Sequence, residues 1–289
     1  MHAIQVPGSG PDEQHQVDQL VRFLAPLRHV LVLTGAGIST ASGIPDYRGA
    51  DGVRRGKAPV QGPEFRQCEA VRKRYWARSM VGYPALARAA PNSAHWAIAT
   101  LQADARLGDL ITQNVDGLHQ RAGSQAVIEL HGNIHAVVCL GCHARFSRRF
   151  VQTLLEQVNP GLLHCGADIG AAPDGDAHLE PDTLAQFHIA ACSHCGGMLK
   201  PDVVFFGDGV APACTAQAVA AMAAADALLV VGSSLMVFSG FRFCRMAAAA
   251  GKPIAAINLG LTRADDLFSL KINGAAERLL PALRCALQP

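Results

Sequence analysis

Short runs of hydrophobic residues alternate along the chain with longer stretches of helical composition. The runs are rich in Val, Ile and Leu and lie at residues 29–33, 110–112, 127–130, 227–231 and 254–257. The stretches between them predict helices at residues 92–105, 213–225 and 241–250. Continuous apolar strands that alternate with helices are typical of a parallel sheet with helices on both faces. The pattern therefore predicts an α/β fold.

The alternation stops between residues 135 and 200, where a C-x-x-C pair stands near each end and the middle contains Gly, Pro and Asp. We interpret this segment as an inserted small domain. A second irregular stretch, residues 49–63, combines Gly, Arg and Asp and is expected to form a mobile loop. The predicted division is a sheet domain at residues 1–48, 92–134 and 201–289, a loop with helices at residues 49–91, and the small domain at residues 135–200.

Composition excludes several classes of protein. The chain has 289 residues, 50% hydrophobic and 17% charged, which is enough to bury a large core. A formal charge of +2 without a long basic run gives no electrostatic basis for nucleic-acid binding. Residues 1–16 lack the pattern of a signal or transit peptide. The apolar window at residues 213–235 is interrupted by Gln217, Asp226 and Gly232, so we expect no membrane span and a cytoplasmic location.

Four of the nine cysteines form two C-x-x-C pairs, Cys139 with Cys142 and Cys192 with Cys195. Without a signal peptide, such pairs favour a metal site over a disulfide framework. Four thiolates complete the tetrahedral shell of one structural zinc ion and leave no open position. Other residues near the pairs that are interpreted as bystanders are His143, His164, Cys165 and His194. The remaining cysteines are expected to be small core residues: Cys68, Cys214, Cys244 and Cys285.

A glycine-rich turn follows the first predicted strand directly. Glycines such as Gly35 and Gly37 allow the backbone to approach a pyrophosphate, whose charge is met by N–H groups at the start of the next helix. Ser39 and Thr40 add hydroxyl groups. The usual dinucleotide fingerprint has a third glycine where Thr40 stands and an acid about twenty residues later, and this chain has neither. A tight turn without a ligand is the alternative.

Polar residues follow the next two strands at their carboxyl ends. Gln113, Asn114 and Asp116 follow one strand, and His131 follows the other. At this edge of a parallel sheet, side chains point into the crevice where ligands bind. An amide beside a carboxylate suits a ribose and an amide-bearing ring, and histidine can move a proton near neutral pH. The alternatives are an Asx-type turn that caps a helix and a structural histidine.

Two later segments, residues 200–208 and 228–240, are expected to contain extended, Val-rich backbone, and the second is expected to be a buried strand that ends in Gly232, Ser233 and Ser234. If their edges face each other, a substrate peptide can pair between them through main-chain hydrogen bonds. The alternative is that both are ordinary core strands. Asn258 ends a further strand, at a position suited to a ribose or adenine contact.

Eight motifs, in this order, resemble the sirtuin family. They are GAGIST, GIPDYR, TQNVDGLH, ELHG, the two C-x-x-C pairs, VVFFGD and GSSL, and the resemblance extends from about residue 21 to about residue 280. Together they are far more specific than the glycine turn alone. The segments KRYWARS, APDGD, KPDVVFFGD and TRADDL resemble the class II branch, which contains the mitochondrial lipoamidase and ADP-ribosyltransferase type.

The resemblance implies an NAD-dependent protein lysine deacylase with a Rossmann-like parallel sheet domain and an inserted small zinc-binding domain. The acyl group passes to ADP-ribose and nicotinamide leaves. His131 would be the general base, Asn114 would order the ribose and a water, and Asp116 would hold the nicotinamide carboxamide. The implied NAD-binding residues are Gly35, Ala36, Gly37, Ser39, Thr40, Ile44, Pro45, Asp46, Tyr47, Arg48, Gln113, Asn114, Val115, Asp116, Gly232, Ser233, Ser234, Asn258, Leu259, Gly260 and Ala276.

The implied partners are NAD, one structural zinc ion, and acylated lysine peptides or proteins, with neither a membrane nor direct nucleic-acid binding. One alternative function is mono-ADP-ribosyl transfer to protein, which shares the departure of nicotinamide. A zinc-knuckle interaction module is disfavoured because the region around Cys192 is nearly uncharged. A dehydrogenase is disfavoured because the acidic ribose clamp is missing.

One further hypothesis concerns acyl preference. Arg72, Arg74 and Arg78 are spaced around Tyr75 and Trp76. If they line the acyl channel, they favour long or acidic acyl groups over acetyl. The alternative is a solvated helix face.

Overall fold

The structure, a computed structural model, describes residues 11–54, 59–162 and 184–288. The strands in these ranges form two sheets. They are β1 Val30–Thr34, β2 Leu110–Thr112, β3 Val127–Glu129, β4 Gly132–Cys139, β5 Arg145–Ser147, β6 Leu199–Val203, β7 Ala227–Val231, β8 Ile254–Ile257 and β9 Leu270–Ile272. The helices are α1 Pro11–Leu24, α2 Gly62–Gln67, α3 Glu69–Arg88, α4 Ser93–Ala103, α5 Leu118–Arg121, α6 Arg148–Val158, α7 Pro212–Ala224, α8 Phe238–Ala249 and α9 Ala276–Leu287.

Six strands form a parallel sheet in the order β3-β2-β1-β7-β8-β9. Val32 of β1 lies opposite Leu110 of β2 on one side and Leu229 of β7 on the other. Strands β2 and β3 are added on one side of β1, and strands β7, β8 and β9 on the other. The direction in which strands are added therefore reverses between β1 and β7. Ligands of open α/β sheets bind at the carboxyl ends of the strands beside such a reversal. The topology places the expected crevice after β1 and β7.

Both faces of this sheet are covered by helices, which confirms the predicted α/β class. On one face, Val32 packs in a core with Leu20 of α1 and Ile98 of α4. On the other face, Leu33 packs with Phe243 of α8. Adjacent residues of a strand point to opposite faces, so β1 is apolar at each position from Val30 to Leu33. Full burial of one such side chain contributes about 1.5–3 kcal/mol.

The second sheet is smaller and antiparallel, in the order β5-β4-β6. Val137 of β4 shares a core with Trp76 of α3 and Leu155 of α6. Cys139 at the end of β4 pairs with Leu199 at the start of β6. This register brings the two C-x-x-C segments to the same end of the small sheet.

The predicted strands and helices differ from the observed ones by at most three residues at either end. Two expectations were wrong. The glycine turn leads into two short 3-10 turns, Ala36–Ile38 and Thr40–Ser42, and not into an α-helix; Gly43 ends them in a left-handed conformation with φ of 81°. The extended segment at residues 200–208 is a strand only to Val203, after which Phe206 makes one isolated bridge to Gln61.

Some sequence predictions fall outside the described residues. These are the predictions for His164 and Cys165, the APDGD segment at residues 172–176, and residues 55–58 of the predicted loop. Within the described ranges, no helix combines the length and the apolar composition needed to cross a membrane.

Candidate active site

A cavity of about 770 Å³ lies at the carboxyl ends of the parallel strands. Residues from the segments after β1, β2, β3, β7 and β8 line it together. The predicted site residues in its wall are Gly35, Ala36, Gly37, Ser39, Thr40, Ile44, Asp46, Tyr47, Arg48, Gln113, Asn114, Val115, Asp116, His131, Gly232, Ser233, Ser234, Asn258, Leu259 and Ala276. Pro45 and Gly260, the other two predicted residues, are not in the wall.

The glycine loops after β1 and β7 lie against each other, and only glycine fits there. The Gly37 amide donates to the carbonyl of Gly232 at 2.8 Å. A Cβ on Gly37 would lie 2.9 Å from that carbonyl oxygen, and a Cβ on Gly232 would lie 2.4 Å from the amide nitrogen of Ile38. Gly232 also has a left-handed φ of 60°. These glycines therefore lock two strand ends together at the cavity floor.

Asn114 and Asp116 form one buried hydrogen-bond network with Ser39. The Asn114 amide donates to the carbonyl of Gly35 at 3.1 Å and to the Ser39 hydroxyl at 3.2 Å. Ser39 in turn donates to the Asp116 carboxylate at 2.7 Å. The other carboxylate oxygen accepts the Leu118 amide, as in the predicted Asx turn. The turn and the cavity wall are thus the same structure, because the side chain that accepts the first amide of α5 also lines the cavity.

His131 stands in the cavity wall with both ring nitrogens engaged. Nδ1 lies 2.8 Å from the carbonyl oxygen of Gln113 and Nε2 lies 2.7 Å from the Ser239 hydroxyl. A carbonyl can only accept, so in the neutral ring Nδ1 carries the proton and Nε2 presents its lone pair. Burial lowers the pKa of His131. The ring is therefore neutral near pH 7 and can accept a proton at Nε2.

On the β7 side of the cavity, Gln113 joins the segment after β2 to the segment after β7, and Asn258 stabilises the turn after β8. The Gln113 amide donates to the Ser233 hydroxyl at 2.7 Å. The Asn258 amide donates to the carbonyl of Leu259 at 3.0 Å. Gln113 also packs where a side chain on Gly240 would stand, at 2.5 Å. These bonds give this part of the wall a defined shape before any ligand binds.

Two buried histidines lie beneath the network. His95 of α4 lies 3.5 Å from the Ser39 hydroxyl, and its ring centroid is 4.8 Å from that of His119. Nε2 of His119 lies 2.9 Å from the Thr34 hydroxyl. Burial lowers the pKa of His95 to about 4, although the nearby Asp116 opposes that shift. Burial likewise lowers the pKa of His119 well below its usual range.

This pair makes stability depend on pH in a defined window. Because the folded-state pKa of His95 lies below the ordinary value of 6.5, its contribution is complete above pH 6.5 and is lost as the pH falls towards about 4. We expect Tm to fall in that window, and to fall less steeply for His95→Gln, since glutamine suits this capping-box position. Circular-dichroism melts at several pH values measure both slopes. Equal slopes would contradict the role of His95.

One part of the cavity wall is apolar. Val60, Tyr75, Ile134 and Phe205 line it. The Tyr75 and Phe205 rings pack at 5.1 Å between centroids with an interplanar angle of 75°. Such a surface suits an uncharged acyl chain.

The three arginines of the acyl hypothesis are not in the cavity wall. Arg72 donates to the carbonyls of Phe65 and Arg66, at 3.1 and 3.0 Å. It therefore ties α3 to α2. The position of these arginines lends no support to recognition of acidic acyl groups.

The four predicted cysteines converge at the end of the small sheet. Their sulfur atoms all lie within 4.8 Å of one another, with 3.5 Å between Cys139 and Cys195 and 3.8 Å between Cys142 and Cys192. Zinc–sulfur bonds of the usual length imply about 3.8 Å between sulfurs in a tetrahedron. Backbone amides of Cys142 and Gly141 lower the pKa of Cys139 to about 6, which favours the thiolate. The donor set fits one structural zinc ion.

The remaining described cysteines are less uniform than predicted. Cys244 is buried in the core, as expected, whereas Cys214 and Cys285 are half-buried and Cys68 is exposed. Cys68 stands at the surface because it is the N-cap of α3, where α2 ends. The core interpretation was wrong for Cys68.

Several residues in or beneath the site were not predicted from the sequence. Ser239 is an ordinary serine at the start of α8 and carries no local signal. His95 has one signal, since it stands three residues after the N-cap Asn92 in a capping box. His119, one turn after Asp116, has no periodicity that separates it from other helical residues. Their roles follow from contacts between distant segments.

Comparison with known proteins places the chain among relatives of similar length. It is 52% identical over 270 residues to NAD-dependent protein deacetylase 3 of Pseudomonas syringae pv. tomato, covering 92% of this chain and 94% of that protein. It is 52% identical over 267 residues to an NAD-dependent protein deacetylase of Xanthomonas campestris pv. campestris, covering 92% and 90%.

Solved structures show the same fold. A structure of Sir2 with a p53 peptide and NAD+ superimposes with a TM-score of 0.71 at 29% identity, covering 91% of this chain and 95% of the other. A structure from work on the mechanism and regulation of Sir2 enzymes gives 0.73 at 31% identity, covering 94% and 98%. Residues 35–239 match the sequence description of the Sir2 family. The chain therefore belongs to the Sir2 family.

Proposed function

We propose that this protein is an NAD-dependent protein lysine deacylase that transfers the acyl group to ADP-ribose and releases nicotinamide. The observation that carries the proposal is one cavity that contains the glycine loops, the network of Asn114 and Asp116, and His131, whose Nε2 lone pair accepts the Ser239 hydroxyl. Relatives are named NAD-dependent protein deacetylases, and one similar structure is of Sir2 bound to an acetylated peptide.

The residues of the cavity divide the work. NAD, when bound, supplies an ADP-ribosyl group with nicotinamide as the leaving group. Asn114, held by Gly35 and Ser39, orders the ribose and a water. Asp116 holds the nicotinamide carboxamide. His131 accepts a proton from a ribose hydroxyl at Nε2, and its Nδ1–H group continues to donate to the carbonyl of Gln113.

The other predicted contacts follow the strand ends. The turn after β1 receives the phosphates through Gly35, Ala36, Gly37, Ser39 and Thr40. The segment from Ile44 to Arg48, including Pro45, Asp46 and Tyr47, closes over NAD. The adenosine end binds Gly232, Ser233, Ser234, Asn258, Leu259, Gly260 and Ala276, while Gln113 and Val115 complete the wall. Of these, Pro45 and Gly260 act through their neighbours, because they do not line the cavity.

The substrate peptide enters between the segment after β6 and the start of α8. Phe206, Val237 and Phe238 are exposed there, at 39%, 39% and 53% of their surface. Exposed apolar side chains beside extended backbone, as at Val237, suit an extended peptide. The acyl-lysine then reaches the apolar wall around Tyr75.

The three parts of the chain have separate tasks in this proposal. Residues 1–48, 92–134 and 201–289 bind NAD, residues 49–91 shape the acyl end, and residues 135–200 hold zinc. Zinc is structural, because four thiolates leave no position for a substrate. The described cysteines form no disulfide. Thiolate zinc sites suit a reducing compartment, so we place the protein in the cytoplasm.

Product analysis tests the function. The purified chain is incubated with NAD and lysine peptides carrying acetyl, lipoyl or glutaryl groups, and products are identified by mass spectrometry. We expect nicotinamide and O-acyl-ADP-ribose in equal amounts. ADP-ribose attached to protein would instead support the alternative, mono-ADP-ribosyl transfer, and no release of nicotinamide would refute both. An acetyl preference of about tenfold would end the hypothesis on acidic acyl groups, since arginines that paired with an acidic acyl group would favour that group over acetyl.

A further inference from the structure

A buried arginine lies in the part of the chain at residues 135–200 that contains the four cysteines, the small module. This arginine contacts a tyrosine of α3. Arg148, the first residue of α6, is fully buried. Its guanidinium donates to Gln152 and to Ser79, and it lies 4.3 Å from the centre of the Tyr83 ring. Burial of a charge is costly unless hydrogen bonds and an aromatic face replace water. The Tyr83 ring is therefore held by a specific and costly contact.

His135 connects Tyr83 to the loop after β2, which contains Asp116. The Tyr83 hydroxyl lies 3.0 Å from Nδ1 of His135, and Nε2 of His135 lies 2.9 Å from the carbonyl oxygen of Asp116. That carbonyl can only accept, so Nε2 carries the proton and Nδ1 accepts from the tyrosine. The direction of each hydrogen bond in the chain is thus defined.

This chain of bonds reaches the one loop whose geometry decides where the Asp116 carboxylate points. Gly117, the next residue, is in the left-handed region with a φ of 67°, and a Cβ there would meet His135 at 3.3 Å. Ser39 holds the carboxylate from the other side. The peptide bond after Asp116 is therefore anchored from β4 of the small sheet, and the carboxylate from the large one.

We infer that Tyr83 and His135 are positioning residues for Asp116, and that Arg148 holds Tyr83 in place. The inference rests on the proposed function, because the position of Asp116 matters only if NAD binds beside it. It adds a second task for the small module, which acts on the NAD site through side chains as well as supporting the fold.

Steady-state kinetics of the zinc-loaded full chain test the inference. Tyr83→Phe removes only the hydroxyl, and His135→Leu removes the donor to Asp116. Loss of one hydrogen bond of this kind predicts an increase of about three- to tenfold in the KM for NAD. We expect the inhibition constant for nicotinamide to rise in parallel, with an unchanged KM for the acyl peptide. His135→Gln keeps an N–H donor near the Nε2 position and should restore the KM for NAD to within about twofold of the original.

The matched control is His188→Leu, an exposed histidine of the same module, which should leave all constants unchanged. A lower kcat with an unchanged KM for NAD would indicate a purely structural role and overturn the inference. Failure of glutamine to restore the KM would also overturn it. If the original chain releases nicotinamide and the variants keep its KM, only this inference fails; if the original chain releases none, the proposed function fails.

Discussion

Replacing His131 with alanine should lower kcat for NAD-dependent deacylation by about 10²–10⁴-fold, the usual contribution of a general base. The imidazole is held by the Gln113 carbonyl with its Nε2 lone pair directed to Ser239 in the cavity wall. Alanine removes the only imidazole in that wall among the described residues. Deacylation rates at saturating NAD and peptide measure the effect.

The control for this variant is His15→Ala, which changes an exposed histidine on α1 and should keep full activity. The His131 variant should retain its zinc content and a Tm close to that of the original chain. His131 lines the cavity and stands outside the cysteine cluster, so its removal leaves the zinc site intact. Activity within about tenfold of the original would refute His131 as the base, because a general base contributes at least about 10²-fold.

Removal of zinc should abolish activity and unfold the small module. Replacing Cys142 with serine leaves three thiolates crowded within 4.8 Å without a complete shell. Structural zinc contributes apparent binding free energies of about 10–16 kcal/mol in small domains, far more than the small sheet can replace. We expect loss of bound zinc, a lower Tm and deacylation at background. Metal analysis, thermal melts and product assays measure the three effects.

The matched control is Cys68→Ser, because Cys68 is exposed and stands outside the cysteine cluster. It should keep zinc, Tm and activity. A Cys142→Ser protein that contains no zinc and retains its original Tm and activity would show that the metal is dispensable.

The parallel sheet was predictable because its strands are buried on both faces. β1 and β7 are apolar at nearly every position, and such runs have few other structural solutions. The edge strand β9 was not predicted, because Leu270–Ile272 is only three residues long and two of its residues are half-buried. The 3-10 turns after β1 were not predicted, because the residues that favour a helix do not indicate that Gly43 ends the turns in a left-handed conformation.

The candidate site was predictable where its residues directly follow a predicted strand. Asn114, Asp116 and His131 each follow an apolar run, and parallel strands share one carboxyl edge, so their meeting follows from topology. The positions of the arginines do not support the hypothesis on acidic acyl groups, for a related reason. Spacing along a helix gives the face that a side chain occupies but not which element packs against that face. The Arg72 side chain donates to carbonyls of α2.

Local patterns of the chain were enough to predict most of the parallel sheet, the four cysteines of the zinc site and the motifs of the Sir2 family, because apolar periodicity and ligand spacing are local properties. The partners of those residues became known only from the fold. The pairing of Ser239 with His131, and the path from Arg148 through Tyr83 and His135 to Asp116, join segments that are far apart in sequence. Such contacts depend on how the two sheets pack, and no local pattern records that packing.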